Sequence, residues 1–296
     1  IRVSLVENDG IYYAIPLPRG ASIFSSMARA DGLMRVPVNI EGFEEGDTIA
    51  CELLTKKETL KQRIHIIGSH DLSLDILRDM IKTHHTAFDL ISTHTGSLSG
   101  ITALSKGIAH ICTTHILDEN EKIYNAPAIK KYLADKPCVL IHIAKRFQGL
   151  IVRKDNKKNI KGISDLSRPE VKFINRQSGS GTRILLDMLL SENDIEKHHI
   201  NGYDREESTH TAVGIQVRES IADTGIAIYS IARVFSLDFI PLAEEDYDLL
   251  VTKEFTEDRR FKLLMDMVNS NEFRQRLEKL GGYNTKETGR IKFTKG

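Results

Sequence analysis

From Arg63 onward the chain repeats one pattern: a short apolar run, a turn rich in glycine, serine or threonine, and then apolar positions spaced for a helix. "RIHIIGSHD" leads into "LSLDILRDMIKTHH", and "FDLISTHTGSLSG" leads into "ITALSKG". "VKFINRQSGSG" leads into "TRILLDMLLSE", and "ADTGIAIYS" leads into "IARVFS". Strands alternating with helices in this way predict an α/β fold with mainly parallel sheets. In such folds ligands gather beyond the carboxyl ends of the strands. The turns at those ends carry polar donors: Ser69 and His70; Thr95, Ser97 and Ser99; Ser178, Ser180 and Thr182; Tyr229 and Ser230.

The first part of the chain reads differently. "IYYAIPL" and "MRVPVNI" are short extended runs, and "EGFEEGDTIACELL" is a turn followed by an alternating strand, so residues 1–55 are expected to form a small, mainly-β domain. One helix interrupts it at "SIFSSMARADG", with Ser22 as its cap and Gly32 as its terminator. The charged stretch "TKKETLKQR" supplies a linker at 56–63, and a second domain occupies 64–296.

Composition narrows the function. Lys plus Arg and Asp plus Glu both number 41, which removes any whole-surface attraction to nucleic acid or to an anionic membrane, so anion preference must be local. Cys51, Cys112 and Cys138 are odd in number and form no C-x-x-C, the pattern of reduced thiols in a cytoplasmic protein. No apolar run approaches the ~20 residues of a membrane span. The chain opens on Ile1 rather than methionine and reads as a fragment whose upstream part was removed. His84 and His85 are adjacent and no histidine pair sits at i, i+4, so no metal site is expected. Trp is absent, which leaves bases and sugars few stacking platforms.

The densest chemistry lies in "NRQSGSGTRILLDML", where Arg176, Ser178, Ser180, Gly181, Thr182 and Arg183 crowd the start of one apolar helix. One capping serine satisfies one helix, whereas here several donors surround N–H groups that carry partial positive charge, an arrangement suited to an anion. The spacing fits neither a P-loop nor a nucleophile elbow. His70, His115 and His210 lie in "GSHD", "TTHILDE" and "STHTA", where Asp71 and Asp118 are placed to orient imidazoles. Tyr203, Arg205 and His210 of "GYDREESTH" are expected at the rim of the site.

"GSHD", "HILDENEKIYN", "NRQSGSGTR" and "GYDREESTH", taken in order, resemble the periplasmic-binding-protein-like domain often fused to molybdopterin biosynthesis proteins. "PLPRGASIFSSMARADGLMRVP" resembles the C-terminal β-barrel domain of the molybdopterin molybdenumtransferase, the MoeA or gephyrin type, with Arg19 where serine is common. The resemblance implies a small barrel followed by a two-lobed, type II periplasmic-binding-protein-like domain. Lobe 1 would span about 64–148 and 250–296 and lobe 2 about 152–246, with crossings at "AKRFQGLIV" and "EEDYDLLV". It further implies a non-catalytic, cytoplasmic binding module of molybdenum cofactor biosynthesis whose partners are the upstream transferase domains, and it allows a homodimer. The ligand would be molybdate, tungstate, phosphate or a molybdopterin species, with no covalently held cofactor. Arg176, Ser180, Gly181 and Thr182 match the oxyanion-binding turn, and Ser69 with Ser97 or Thr95 match the first-lobe donors. Ser69, His70, Asp71, Thr95, Ser97, His115, Arg176, Ser178, Ser180, Gly181, Thr182, Arg183, His210 and Tyr229 are therefore the candidate ligand-binding residues. Two alternatives remain open: an enzyme using His70, Asp71 and the Ser178–Thr182 turn on a phosphate or adenylate group, and a ligand-sensing regulatory domain.

Overall fold

The computed structural model describes residues 1–17, 24–85, 87–118, 123–133 and 136–295. Arg19 and Ser22, singled out above, lie outside the described residues, as do positions 119–122 of the "HILDENEKIYN" motif. Strand β1 (Arg2–Asn8) buries Val3 and Leu5 on one face. Asp9 and Gly10 then both adopt positive φ, 54° and 77°, which gives the hairpin a turn whose twist matches its strands. Strand β2 (Ile11–Pro16) returns antiparallel, the short helix α1 (Phe24–Ala28) follows, and β3 (Gly32–Met34) and β4 (Cys51–Leu53) complete a four-stranded antiparallel sheet in the order β2-β1-β3-β4.

Two local expectations are corrected here. Gly32 opens β3 instead of closing a helix, because a Cβ at that point would strike the Cys51 sulfur across the ladder. "MRVPVNI" contributes only Met34 to the sheet, since Pro37 has no N–H to donate and Val38 is fully exposed. Within the charged connector a single turn, α2 (Lys57–Leu60), inserts Leu60 into the small core of Val3, Leu5 and Met34.

The predicted alternation then appears. Strand β5 (Arg63–Gly68) leads to α3 (Leu72–His84), β6 (Asp89–His94) to α4 (Ser97–Ser105), and β7 (Ile111–Thr114) to α5 (Ala126–Tyr132). A 15-residue strand, β8 (Cys138–Val152), carries the chain into the second lobe. There β9 (Phe173–Arg176) leads to α6 (Gly181–Glu192), β10 (Glu206–Glu207) to α7 (His210–Arg218), and β11 (Thr224–Ile228) to α8 (Tyr229–Val234). A second 15-residue strand, β12 (Asp238–Thr252), returns to the first lobe, which α9 (Arg259–Asn269), α10 (Asn271–Leu280), β13 (Tyr283–Asn284) and β14 (Ile291–Lys295) complete.

The sheet runs β10-β9-β11-β8-β12-β7-β5-β6. Its flanks are parallel, with β5 between β6 and β7 and β9 between β10 and β11, while β8 and β12 pair antiparallel through the middle. One core gathers around Ile64, Leu77 and Phe273 and another around Phe173 and Leu186, which makes two lobes joined by the two long strands. Strand β12 breaks register at Pro241/Ala243 and again at Tyr247/Asp248, and such bulges bend a strand where it passes between packed bodies.

The small sheet rests on lobe 1. His110 accepts from the His65 N–H at 2.9 Å and, through its other ring nitrogen, meets the Glu7 carbonyl at 2.8 Å. Asn8 donates to the Gly107 carbonyl at 3.1 Å, and Arg260 lies 3.4 Å from the Glu7 carboxylate. A cavity of about 630 Å³ opens at this junction, bounded by Tyr13, His110, Phe255 and Arg260. Among the described residues, none of its lining side chains holds an unpartnered buried polar atom. Likewise among these residues, no helix is long and apolar enough to cross a membrane, and no group of three or more His, Cys, Asp or Glu is placed to hold a metal ion.

Candidate functional site

Three turns of lobe 1 are stitched together by hydroxyls. Strand β5 ends at Gly68, whose φ of 155° and contact with the Thr113 backbone exclude a side chain. The next residue, Ser69, places its Oγ 2.7 Å from the Oγ of Ser97 at the start of α4. Ser97 Oγ in turn accepts from the His115 N–H at 3.2 Å. Asp71 caps α3 by accepting from Ser73 N–H at 2.7 Å, which fixes His70 between these two functions. The His70 ring stands edge-on to His94, centroids 4.7 Å apart, and 6.3 Å from His210 of the other lobe.

The donors of lobe 2 come from β9 and two helix starts. Ser180 caps α6 by accepting from Arg183 N–H at 3.2 Å, and Thr209 caps α7 by accepting from Ala212 N–H at 3.0 Å, which brings His210 to the first helical position. Arg176, at the end of β9, is almost wholly buried with one long bond, 3.4 Å, to the Glu207 carbonyl. Burial first, and then the nearby Arg146, pull its pKa down to about 10. The lobes touch directly: a Cβ on Gly181 would lie 2.6 Å from the His115 ring, and one on Gly96 would lie 3.1 Å from the Gly179 carbonyl.

The middle of the two long strands supplies a third component. Arg146 of β8 donates to Glu245 of β12 at 2.6 Å, bonds the Asp71 carboxylate, and lies over the Tyr247 ring with its guanidinium carbon 4.3 Å from the centroid. Glu245 also meets His115 Nδ1 at 2.6 Å and accepts from the Gln148 amide. Tyr283 donates to Asp71 at 2.9 Å. Burial opposes the charge on Glu245, yet Arg146 and His115 outweigh it and hold its pKa at about 2. The imidazole values also fall, which here favours the neutral form: burial, with His94 and the two arginines adding to it, lowers His70 to about 3, and burial with Arg176 lowers His94 to about 4. His210 falls well below its ordinary value, by burial and then Arg176 and Arg146.

The structure thus brings together Ser69, His70, Asp71, Ser97, His115, Arg176, Ser180, Gly181, Thr182 and His210 as one buried cluster. Thr95 and Ser178 stand exposed at its lips, beside the Gly96 and Gly179 contact. Arg183, still mostly buried, lies against the Tyr203 ring at 3.9 Å, pairs with Glu206 at 2.9 Å and donates to the Arg176 carbonyl at 3.3 Å. The Tyr229 ring packs edge-on to Phe239, 5.2 Å between centroids, while its neighbour Ser230 reaches Tyr283 at 3.3 Å. His115 takes its orientation from Glu245, not from a residue of its own loop. Sequence reasoning missed Arg146, Gln148 and Glu245. The signal was present, because a charged or amide residue inside "VLIHIAKRFQGLIV" or "AEEDYDLLV" must find a partner once those strands are buried. Among the described residues, eight of the twelve unpartnered buried side-chain atoms lie here: His70 Nδ1, His115 Nε2, Arg146 Nη2, Gln148 Oε1, Arg176 Nε, Thr182 Oγ1 and both His210 nitrogens; the other four are His65 Nε2, Ser73 Oγ, Arg183 Nε and Arg274 Nε.

Residues 78–269 match the PBP superfamily domain, and residues 1–54 match the MoeA C-terminal region, domain IV. An uncharacterized Bacillus subtilis (strain 168) protein, YvgK, is 35% identical over 226 residues, covering 76% of this chain and 72% of its own. An uncharacterized Clostridium pasteurianum protein encoded in the 5′ region of a 2Fe-2S ferredoxin gene is 43% identical over 109 residues, covering 36% of this chain and 96% of its own. Among solved structures, a candidate phosphate ABC transporter substrate-binding protein with bound phosphate from Clostridium perfringens superposes with a TM-score of 0.58 at 12% identity, covering 75% of this chain and 99% of that one. At that identity the likeness speaks to the fold alone.

Proposed function

The chain belongs to the periplasmic-binding-protein superfamily, and on that premise we propose that its interlobe site captures a small anion for molybdenum cofactor assembly. The observation that carries this reading is the set of buried donors without partners: Arg176 Nε, Arg146 Nη2 and Thr182 Oγ1, beside the rings of His70 and His210. Each such atom costs ~1–3 kcal/mol when neither water nor protein satisfies it. One tetrahedral oxyanion satisfies several at once, and its bonds to guanidinium groups are of the strong, charge-assisted kind. Molybdate, tungstate and phosphate offer such oxygens, as does the phosphate-bearing end of a molybdopterin species.

The match of residues 1–54 to the MoeA C-terminal region supports the molybdenum assignment, and with it a place in the cytoplasm beside the transferase domains. In this reading the chain holds its ligand without turning it over. Titration calorimetry of the chain with molybdate, tungstate, phosphate and molybdopterin tests the proposal, and binding of none of them overturns it. Arg176→Ala is expected to weaken the bound anion by ~1.5–3 kcal/mol, the worth of a hydrogen bond to a charged group.

A further inference from the structure

Glu245 determines which atoms of the site can accept a hydrogen. An ionised carboxylate only accepts, so the proton between Glu245 and His115 sits on Nδ1, and Nε2 of the neutral ring is left with a bare lone pair. The same carboxylate oxygen takes the Gln148 amide nitrogen, which makes Oε1 the free end of that amide. Both acceptors are buried and unpartnered. Arg146, two residues before Gln148 and on the same face of β8, holds the other Glu245 oxygen and keeps the carboxylate in place. Burial, helped by Arg146 and Arg176, keeps His115 neutral against the pull of Glu245.

Charge leads to the same conclusion. Arg146 and Arg176 are balanced by Asp71 and Glu245, and the surrounding imidazoles are neutral, so the buried cluster has no surplus positive charge for a bare dianion. Resting on the reading of this cleft as an anion site, we propose that its ligand brings at least one hydrogen, donated to His115 Nε2 or Gln148 Oε1. The site then selects a protonated phosphate, or a phosphate ester whose remaining groups carry N–H or O–H, over an oxyanion that has none.

The test compares anions of similar shape. Calorimetric titration of the full chain at pH 7 with sulfate, molybdate and tungstate supplies the hydrogen-free set; inorganic phosphate and a pterin phosphate monoester supply the other. At least one of the latter two is expected to bind tenfold or more tighter than every hydrogen-free anion. Preference for phosphate would assign the free ion as ligand, and preference for the monoester would assign the cofactor end. Equal or tighter binding of sulfate, molybdate or tungstate overturns the inference. Gln148→Leu should narrow the preference at least threefold, whereas equal weakening of all anions removes Gln148 from it. Failure of every probe sinks the anion site itself, and the acceptor assignment then rests on nitrogen NMR of the histidine-labelled chain. A bare Nε2 on His115 upholds it, and a protonated Nε2 overturns it.

Discussion

At the scale of single residues, the site stores its instability in Arg176. A buried guanidinium held by one long bond has no close anionic partner to repay its desolvation, so an apolar side chain of similar length is expected to be better tolerated there. Arg176→Met is therefore expected to raise the denaturant midpoint of the ligand-free chain while abolishing the stabilisation that ligand confers; a lowered midpoint would show that Arg176 is compensated in the empty state. The buried imidazoles make a second prediction. His65 and His70 are held at about 3, and His94 and His110 at about 4, chiefly by burial, against an ordinary value of 6.5. As pH falls below 6.5 the unfolded chain binds protons that the folded chain refuses, so stability is full above that pH and drains away toward pH 4. Urea unfolding at pH 7.5 and 5 should differ by more than ~1 kcal/mol, and equal midpoints would mean that these rings already titrate in the folded state.

At the scale of elements, much of the molecule is legible in the sequence. The four strand–turn–helix units are found where the apolar periodicity puts them, because each buried parallel strand needs a continuous apolar run and each helix an amphipathic one. The turns were legible too, since Ser180 and Asp71 occupy helix caps that their residue types favour. What escaped was set by tertiary contact. Arg146, Gln148 and Glu245 lie on two strands 97 or more positions apart in pairing, and nothing local says that Glu245 will meet His115 rather than solvent. Arg183 misled for the converse reason: crowding in sequence did not reveal that its side chain lies against Tyr203. Gly181 gives the element-scale prediction. Gly181→Ala puts a methyl against His115 and should hold the lobes apart, lowering anion affinity more than tenfold with helical content unchanged. Undiminished affinity would show that this contact is dispensable. Ser180→Ala should cost ~1 kcal/mol of stability through the lost cap, read from thermal or urea unfolding.

At the scale of the whole molecule, the lobes share a hydrogen-bonded ribbon, β8 with β12, and Arg146, Gln148 and Glu245 sit on it between the two bulges. The proposed anion site and the lobe geometry therefore depend on the same strands. The small sheet adds an asymmetry: Asn8, Glu7 and Arg260 bind it to lobe 1. Arg260→Ala leaves the buried Glu7 carboxylate without its cation and is expected to cost ~3–5 kcal/mol, which limited proteolysis near residue 60 would detect as early release of the N-terminal segment.

That asymmetry fixes a frame of reference. Whatever grips the small sheet carries one jaw of the clamp rigidly along with it, so any closing stroke is delivered entirely by the opposite jaw. Were a ligand to draw the lobes together, an onlooker stationed at the amino-terminal end would perceive it as a tilt of residues 153–237, with its own footing undisturbed.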